Sequence, residues 1–90
     1  MKRALVTGGS GGIGAAICRR LAADGHHVVV HAGRNVDVAQ ALVREIAAAG
    51  ASAEAIAFDV ADRAAAAAVL ATLLEDGPIQ ILVNNAGIHA

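Results

Sequence analysis

No tryptophan or tyrosine occurs in these ninety residues, and there is one Phe, one Pro and one Cys. A single Cys excludes an internal disulfide framework and suits a reducing cytoplasm, which is the expected location. A net charge of −1 gives no case for nucleic acid or an anionic membrane as partner. No apolar stretch reaches the roughly 18 residues of a membrane span without charge or glycine, and the run from Ala4 to Thr7 is too short for a secretory core. What remains is 57% apolar, nearly all of it Ala, Val, Leu and Ile, which is material for one small domain over residues 1–90. A chain of this size buries only about 60% of its unfolded surface, so the core is expected to be marginal.

Short apolar runs alternate with longer amphipathic ones. Residues 4–7 read as a buried strand, residues 8–12 as a glycine loop, and Ile13 to Asp24 as a helix. Ile13, Ile17 and Leu21 share one face of that helix, and Gly25 closes it. His27 to Ala32, with Val28-Val29-Val30, reads as a strand covered on both faces. Asn35 is placed to cap a second helix that keeps Val38, Leu42 and Ile46 in line and stops at Gly50. A third strand is expected over residues 53–59, and a third helix, capped by Asp62, over Arg63 to Leu74 with Val69, Leu70, Leu73 and Leu74. Gly77-Pro78 breaks the chain before a fourth strand, Ile79 to Val83, that enters Asn84-Asn85-Ala86-Gly87.

The order β-α-β-α-β-α-β predicts an α/β fold, a partial Rossmann-type doubly wound parallel sheet with strand order 3-2-1-4. Ligands of such sheets bind at the carboxyl ends of the strands beside the reversal in strand order. Every candidate motif falls at such an end.

Thr7-Gly8-Gly9-Ser10-Gly11-Gly12-Ile13-Gly14 lies between strand and helix. A pyrophosphate needs backbone N–H groups, close backbone approach and the positive end of a helix dipole, and glycine permits all three. Gly9, Gly11 and Gly14 fit G-x-G-x-x-G; Gly8, Gly12 and Gly14, preceded by Thr7, fit T-G-x-x-x-G-x-G. The alternative is a plain glycine-rich turn. After the second strand, His31-Ala32-Gly33-Arg34-Asn35 lacks the acid that would bind a ribose 2′-hydroxyl. Arg34 is placed to pair with a 2′-phosphate, which favours NADP(H) over NAD(H); otherwise it is a solvated loop arginine. Asp59, beside Val60, is positioned to accept from an adenine amino group, or simply ends its strand. Asn84 and Asn85 offer amides to strand-end backbone or a ribose, with Ala86 and Gly87 leaving room, or form an ordinary Asn-rich turn. His26, His27, His31 and His89 have no metal-ligand spacing, and Cys18 reads as a small buried hydrophobe within a helix. No metal site is expected.

Together, TGGSGGIG, Asp59-Val60 and NNAG resemble the short-chain dehydrogenase/reductase family, most of all its 3-oxoacyl-acyl-carrier-protein reductase-like members. The resemblance spans this chain but only the N-terminal part of a family member. It implies an NADP(H)-dependent oxidoreductase that moves hydride between a nicotinamide and a carbonyl or hydroxyl carbon. It implies that Ser10, Gly11, Gly12 and Ile13 line the pyrophosphate and ribose, that Arg34 and Asn35 hold the 2′-phosphate, and that Asp59 and Val60 flank the adenine. Asn84 to Gly87 would support the central sheet and contact the nicotinamide-side ribose.

The family's Tyr, Lys and Ser have no counterpart, since Lys2 is the only lysine and Ser10 and Ser52 are the only serines. No catalytic residue is therefore assigned, and the chain alone is expected to be inactive. Gly11 stands where many NADP-using members carry Arg, and Gln80 where Asp is common. The fourth strand is expected to be an exposed edge that self-associates or takes a second chain. A non-catalytic NADP(H)-binding module and an inactive interaction fragment are the alternative readings.

Overall fold

A computed structural model describes residues 2–9, 11–33 and 36–85. Its elements are β1 (Arg3–Thr7), α1 (Gly12–Ala23), β2 (His27–Ala32), α2 (Val36–Ala48), β3 (Ala53–Ala57), α3 (Arg63–Glu75) and β4 (Ile81–Asn84). The strands form one parallel sheet in the order β3-β2-β1-β4, as the alternation of elements predicted. Val29 sits beside Leu5 and Glu54, and Leu5 beside Leu82.

A crossover of fixed hand that reverses direction along the sheet must use the opposite face. α1 and α2 accordingly pack on one face, against Val6, Val28, Val30 and Ala32. The other face holds Leu5, Val29 and Leu73 of α3, with Ile56, Leu70 and Ile79 partly buried around them. Because β2 is covered on both sides, Val28 to Ala32 are all buried, and an unbroken β-branched run suits that place.

The helix faces differ from the sequence expectation. Ile13 is 70% exposed and Ile17 and Leu21 are half-buried; α1 instead buries Gly14, Ala15, Cys18 and Ala22. Small residues let this helix approach the strands, and the larger aliphatics are displaced to its flank. In α2 the buried row is Ala39, Leu42 and Ile46, with Val38 48% exposed. In α3 only Leu73 is buried, and Leu74 is 52% exposed.

Strand boundaries also move: β1 begins at Arg3 and not Ala4, and β4 runs on to Asn84. β3 ends at Ala57, and Phe58 adds one further bond to Ala32 O (3.1 Å) before Asp59 turns away. β4 begins at Ile81 and not Ile79. Pro78 has no N–H to give a ladder, and the first bond to β1 comes from Gln80 N to Arg3 O (2.9 Å). The other signals hold: Gly25 has φ +92, and Asp62 caps α3 through Ala65 N at 3.1 Å. Asn35, expected to cap α2, lies outside the described residues.

At the amino end of the sheet, Arg3 donates to Gly77 O and Leu73 O, anchoring the carbonyl-rich end of α3. Glu54 lies 3.7 Å from Arg3 and 3.0 Å from His27 Nε2, and His27 Nδ1 meets Ser52 Oγ. β4 pairs only with β1 among the described residues, and Leu82 on it is 65% exposed.

Neighbouring leucines of α3 provide a test of this packing. Leu73→Ala should lower the unfolding free energy by about 2–4 kcal/mol, whereas Leu74→Ala should change it by about 0.5 kcal/mol or less, both read from urea unfolding.

Candidate dinucleotide site

The carboxyl ends of all strands lie on one side of the parallel sheet, and the glycine turn after β1 is at their centre. Gly8 has φ +65, a left-handed conformation that glycine adopts without strain. Its peptide groups are held from both neighbouring strands. Gly8 N donates to His31 Nδ1 of β2 at 2.9 Å, and Gly8 O accepts from Asn85 Nδ2, just past β4, at 3.1 Å. Gly8 O also accepts from Gly11 N (3.3 Å), and Gly9 N donates to His31 O (2.9 Å).

The glycines are not equivalent. A Cβ on Gly14 would lie 2.2 Å from Gly8 O and 2.9 Å from Asn85 Nδ2. Gly14 is thus required because the turn and the Asn85 amide lie directly over it; closeness to the sheet is a lesser reason. A Cβ on Gly9 would meet Cys18 Sγ and Val6 O, each at 3.0 Å, so Gly9 is confined although T-G-x-x-x-G-x-G leaves its position open. Gly12 faces open space, with no atom within 4 Å of an added Cβ, and the nearest atom to one on Gly11 is 3.8 Å away. The protein's own packing therefore makes no demand at Gly12.

That open space lies at the amino end of α1. The cap residue is Gly11, which has no side chain to satisfy the first-turn amides, and no acidic residue stands in the first turn. Gly11, Gly12 and Ile13 are exposed. Uncapped N–H groups at the positive end of a helix dipole form an anion-receiving surface.

The flanking positions divide. Thr7 Oγ1 lies 3.2 Å from Asn84 Oδ1 and 3.3 Å from Val83 O, a donor's distance from both, which ties the β1 and β4 ends together. Asp59 is exposed, and its Oδ1 accepts from Ala61 N at 2.9 Å, so the carboxylate shapes its own turn. Val60 is 53% exposed. Ser10, Arg34, Asn35, Ala86 and Gly87 lie outside the described residues. Sequence reasoning assigned His31 no role in the site and tied Gly9 to it only through the G-x-G-x-x-G template. The available signal for His31 was a polar residue ending an otherwise apolar buried strand.

Beneath the turn, Cys18 Sγ packs on Gly9. Burial pushes its thiol up to about 11, against a smaller opposing pull from Arg19. On the outer surface the Arg19–Glu45 ion pair holds the Glu45 carboxyl below its ordinary value and raises Arg19, with the hydrogen bond between them the main cause.

The family model for short chain dehydrogenases matches residues 2–90. The chain belongs to the short-chain dehydrogenase family. It is 42% identical over 88 residues to the 3-oxoacyl-[acyl-carrier-protein] reductase FabG of Staphylococcus aureus, covering 97% of this chain and 36% of that protein. To gluconate 5-dehydrogenase of Gluconobacter oxydans it is 44% identical over 88 residues, covering 97% and 34%. A metagenomic short-chain oxidoreductase in complex with NADP superposes with TM-score 0.90 at 45% identity, over 97% of this chain and 39% of that one. FolM alternative dihydrofolate reductase 1 from Brucella suis in complex with NADP gives 0.86 at 32%, over 99% and 36%. The short-chain dehydrogenase chain described here thus spans little more than a third of the length of these relatives.

Two measurements check the local geometry. Gly14→Ala should lose several kcal/mol of stability, while Gly12→Ala should leave it unchanged or raise it by up to about 1 kcal/mol through helix propensity. At pH 8 a thiol reagent should label Cys18 only on unfolding. The stability that Cys18 burial contributes is fully present below the thiol's ordinary range and is lost as pH rises toward about 11.

Proposed function

We propose that this chain is the cofactor-binding part of an NADP(H)-dependent short-chain oxidoreductase acting on a carbonyl or hydroxyl carbon, of the 3-oxoacyl reductase type. The observation that carries this reading is the exposed, uncapped amino end of α1, facing open space at Gly12. The donor set suits a pyrophosphate: backbone amides, no opposing carboxylate in the first turn, and glycines that allow close approach. The NADP complexes of the two structural relatives support the choice of dinucleotide.

In this reading Gly8, Ser10, Gly11, Gly12, Ile13 and Gly14 form the pyrophosphate turn. Arg34 and Asn35 bind the 2′-phosphate, and Asp59 and Val60 flank the adenine. Asn84, Asn85, Ala86 and Gly87 support the central sheet and contact the nicotinamide-side ribose, with the Asn85 amide also bonded to Gly8 O. NADP(H), when bound, supplies or accepts the hydride. The residues of this chain bind and orient; none is assigned a proton-transfer step, because the sequence contains no Tyr and its only Lys is Lys2. A missing general acid alone lowers such a rate by about 10²–10⁴-fold. The ninety residues by themselves are therefore proposed to be inactive.

The exposed Leu82 and the side of β4 away from β1 are proposed to be covered by self-association or by a second chain. No described helix is long and apolar enough to cross a membrane. The cytoplasm is the proposed location.

NADPH fluorescence titration tests the reading. The protein should bind NADPH, and Gly12→Val should weaken binding by about tenfold or more, ~1.4 kcal/mol. Arg34→Asp should shift preference from NADPH toward NADH. Undetectable binding of both dinucleotides would contradict the proposal.

A further inference from the structure

His31 is the one buried polar side chain among the described residues, 1% exposed. Its ring makes a hydrogen bond at each nitrogen. A backbone N–H can only donate, so Nδ1, 2.9 Å from Gly8 N, is the acceptor. The ring proton then sits on Nε2, which donates to Phe58 O at 2.7 Å. The ring also packs on Phe58, centroids 4.2 Å apart. Its own carbonyl accepts from Gly9 N. One residue of β2 thereby fixes the turn after β1 on one side and the turn that carries Asp59 on the other.

We propose that His31 is a positioning residue for the dinucleotide site, holding the glycine turn in its receiving shape through the Nε2–H tautomer. This rests on the reading of that turn as a dinucleotide site. Glycine turns have many accessible conformations, and binding is weakened by whatever freedom must be lost on association. The His31 ring restricts Gly8 at the residue where the chain leaves β1, before any ligand arrives. His31 touches neither the open space at Gly12 nor the helix amides, so its effect on a ligand passes through Gly8 and Gly9.

The test uses the protein at its natural length. Long-range ¹⁵N–¹H correlation should show His31 protonated at Nε2 and bare at Nδ1; the opposite tautomer overturns the proposal without reference to any ligand. Asn places an amide where Nδ1 stands and can accept from Gly8 N–H, whereas Gln reaches the Nε2 position and leaves that N–H unanswered. His31→Asn should therefore bind NADPH within about threefold of wild type, and His31→Gln about tenfold more weakly, ~1.4 kcal/mol. Val29→Ala, on the same strand and fully buried, should lower the Tm while leaving the Kd of the folded protein unchanged. Equal affinities for His31→Gln and wild type, or a Val29→Ala loss as large as that of His31→Gln, would overturn the proposal and leave the dinucleotide reading intact. A wild-type protein that does not bind NADPH would overturn both.

Discussion

The peptide groups on either side of Gly8, the first residue past β1, are held by hydrogen bonds from β2 and from just past β4, and the geometry of the candidate site depends on that restraint. Gly8 N is bonded to a β2 side chain and Gly8 O to an amide just past β4. Between these two ties Gly8 has a positive φ, which is where glycine is at ease. They set the turn directly above Gly14, so the third residue of α1 must have no side chain. The start of α1 is then left with a glycine cap and exposed amides. A constraint on a single residue thus becomes an anion-receiving helix end, through steric exclusion at Gly14 and first-turn amides at Gly12 and Ile13 that no side chain caps.

The two ends of the sheet are chemically unlike. At the amino end, Arg3, His27, Ser52, Glu54 and the last carbonyls of α3 satisfy one another. That network fastens α3 to the strands. At the carboxyl end, polar groups are spent on holding backbone in place, as Thr7, His31, Asp59 and Asn85 do, and the helix amides are left over. This division agrees with the rule that parallel sheets bind ligands beyond the carboxyl ends of their strands.

Periodicity and turn chemistry made the element order and the strand order 3-2-1-4 legible in the sequence. Val28 to Val30 are typical of a strand covered on both faces, and Asp62, Gly25 and Gly77-Pro78 marked boundaries through capping and missing donors. What periodicity did not resolve was which apolar residue of a helix faces inward. Ile13, Ile17 and Leu21 share a face, but the tight approach of α1 selects Ala15, Cys18 and Ala22, because separation between layers is set by side-chain size. In the site, the glycine pattern was visible while its causes were not. Gly9 is confined by Cys18 and Val6, and His31 joins strand ends that are distant in sequence. Such long-range contacts leave no local pattern.

Ligand recognition is proposed to be concentrated at the carboxyl end, on the amides that begin α1. Backbone amide chemical shifts followed during NADPH titration test it most directly. Saturable shifts are expected at Gly8, Gly9 and Gly11 to Gly14, with the opposite end of the sheet, around His27, Ser52 and Glu54, unmoved. Shifts centred on that opposite end, or in the groove between α1 and α2 near Arg19 and His26, would contradict it.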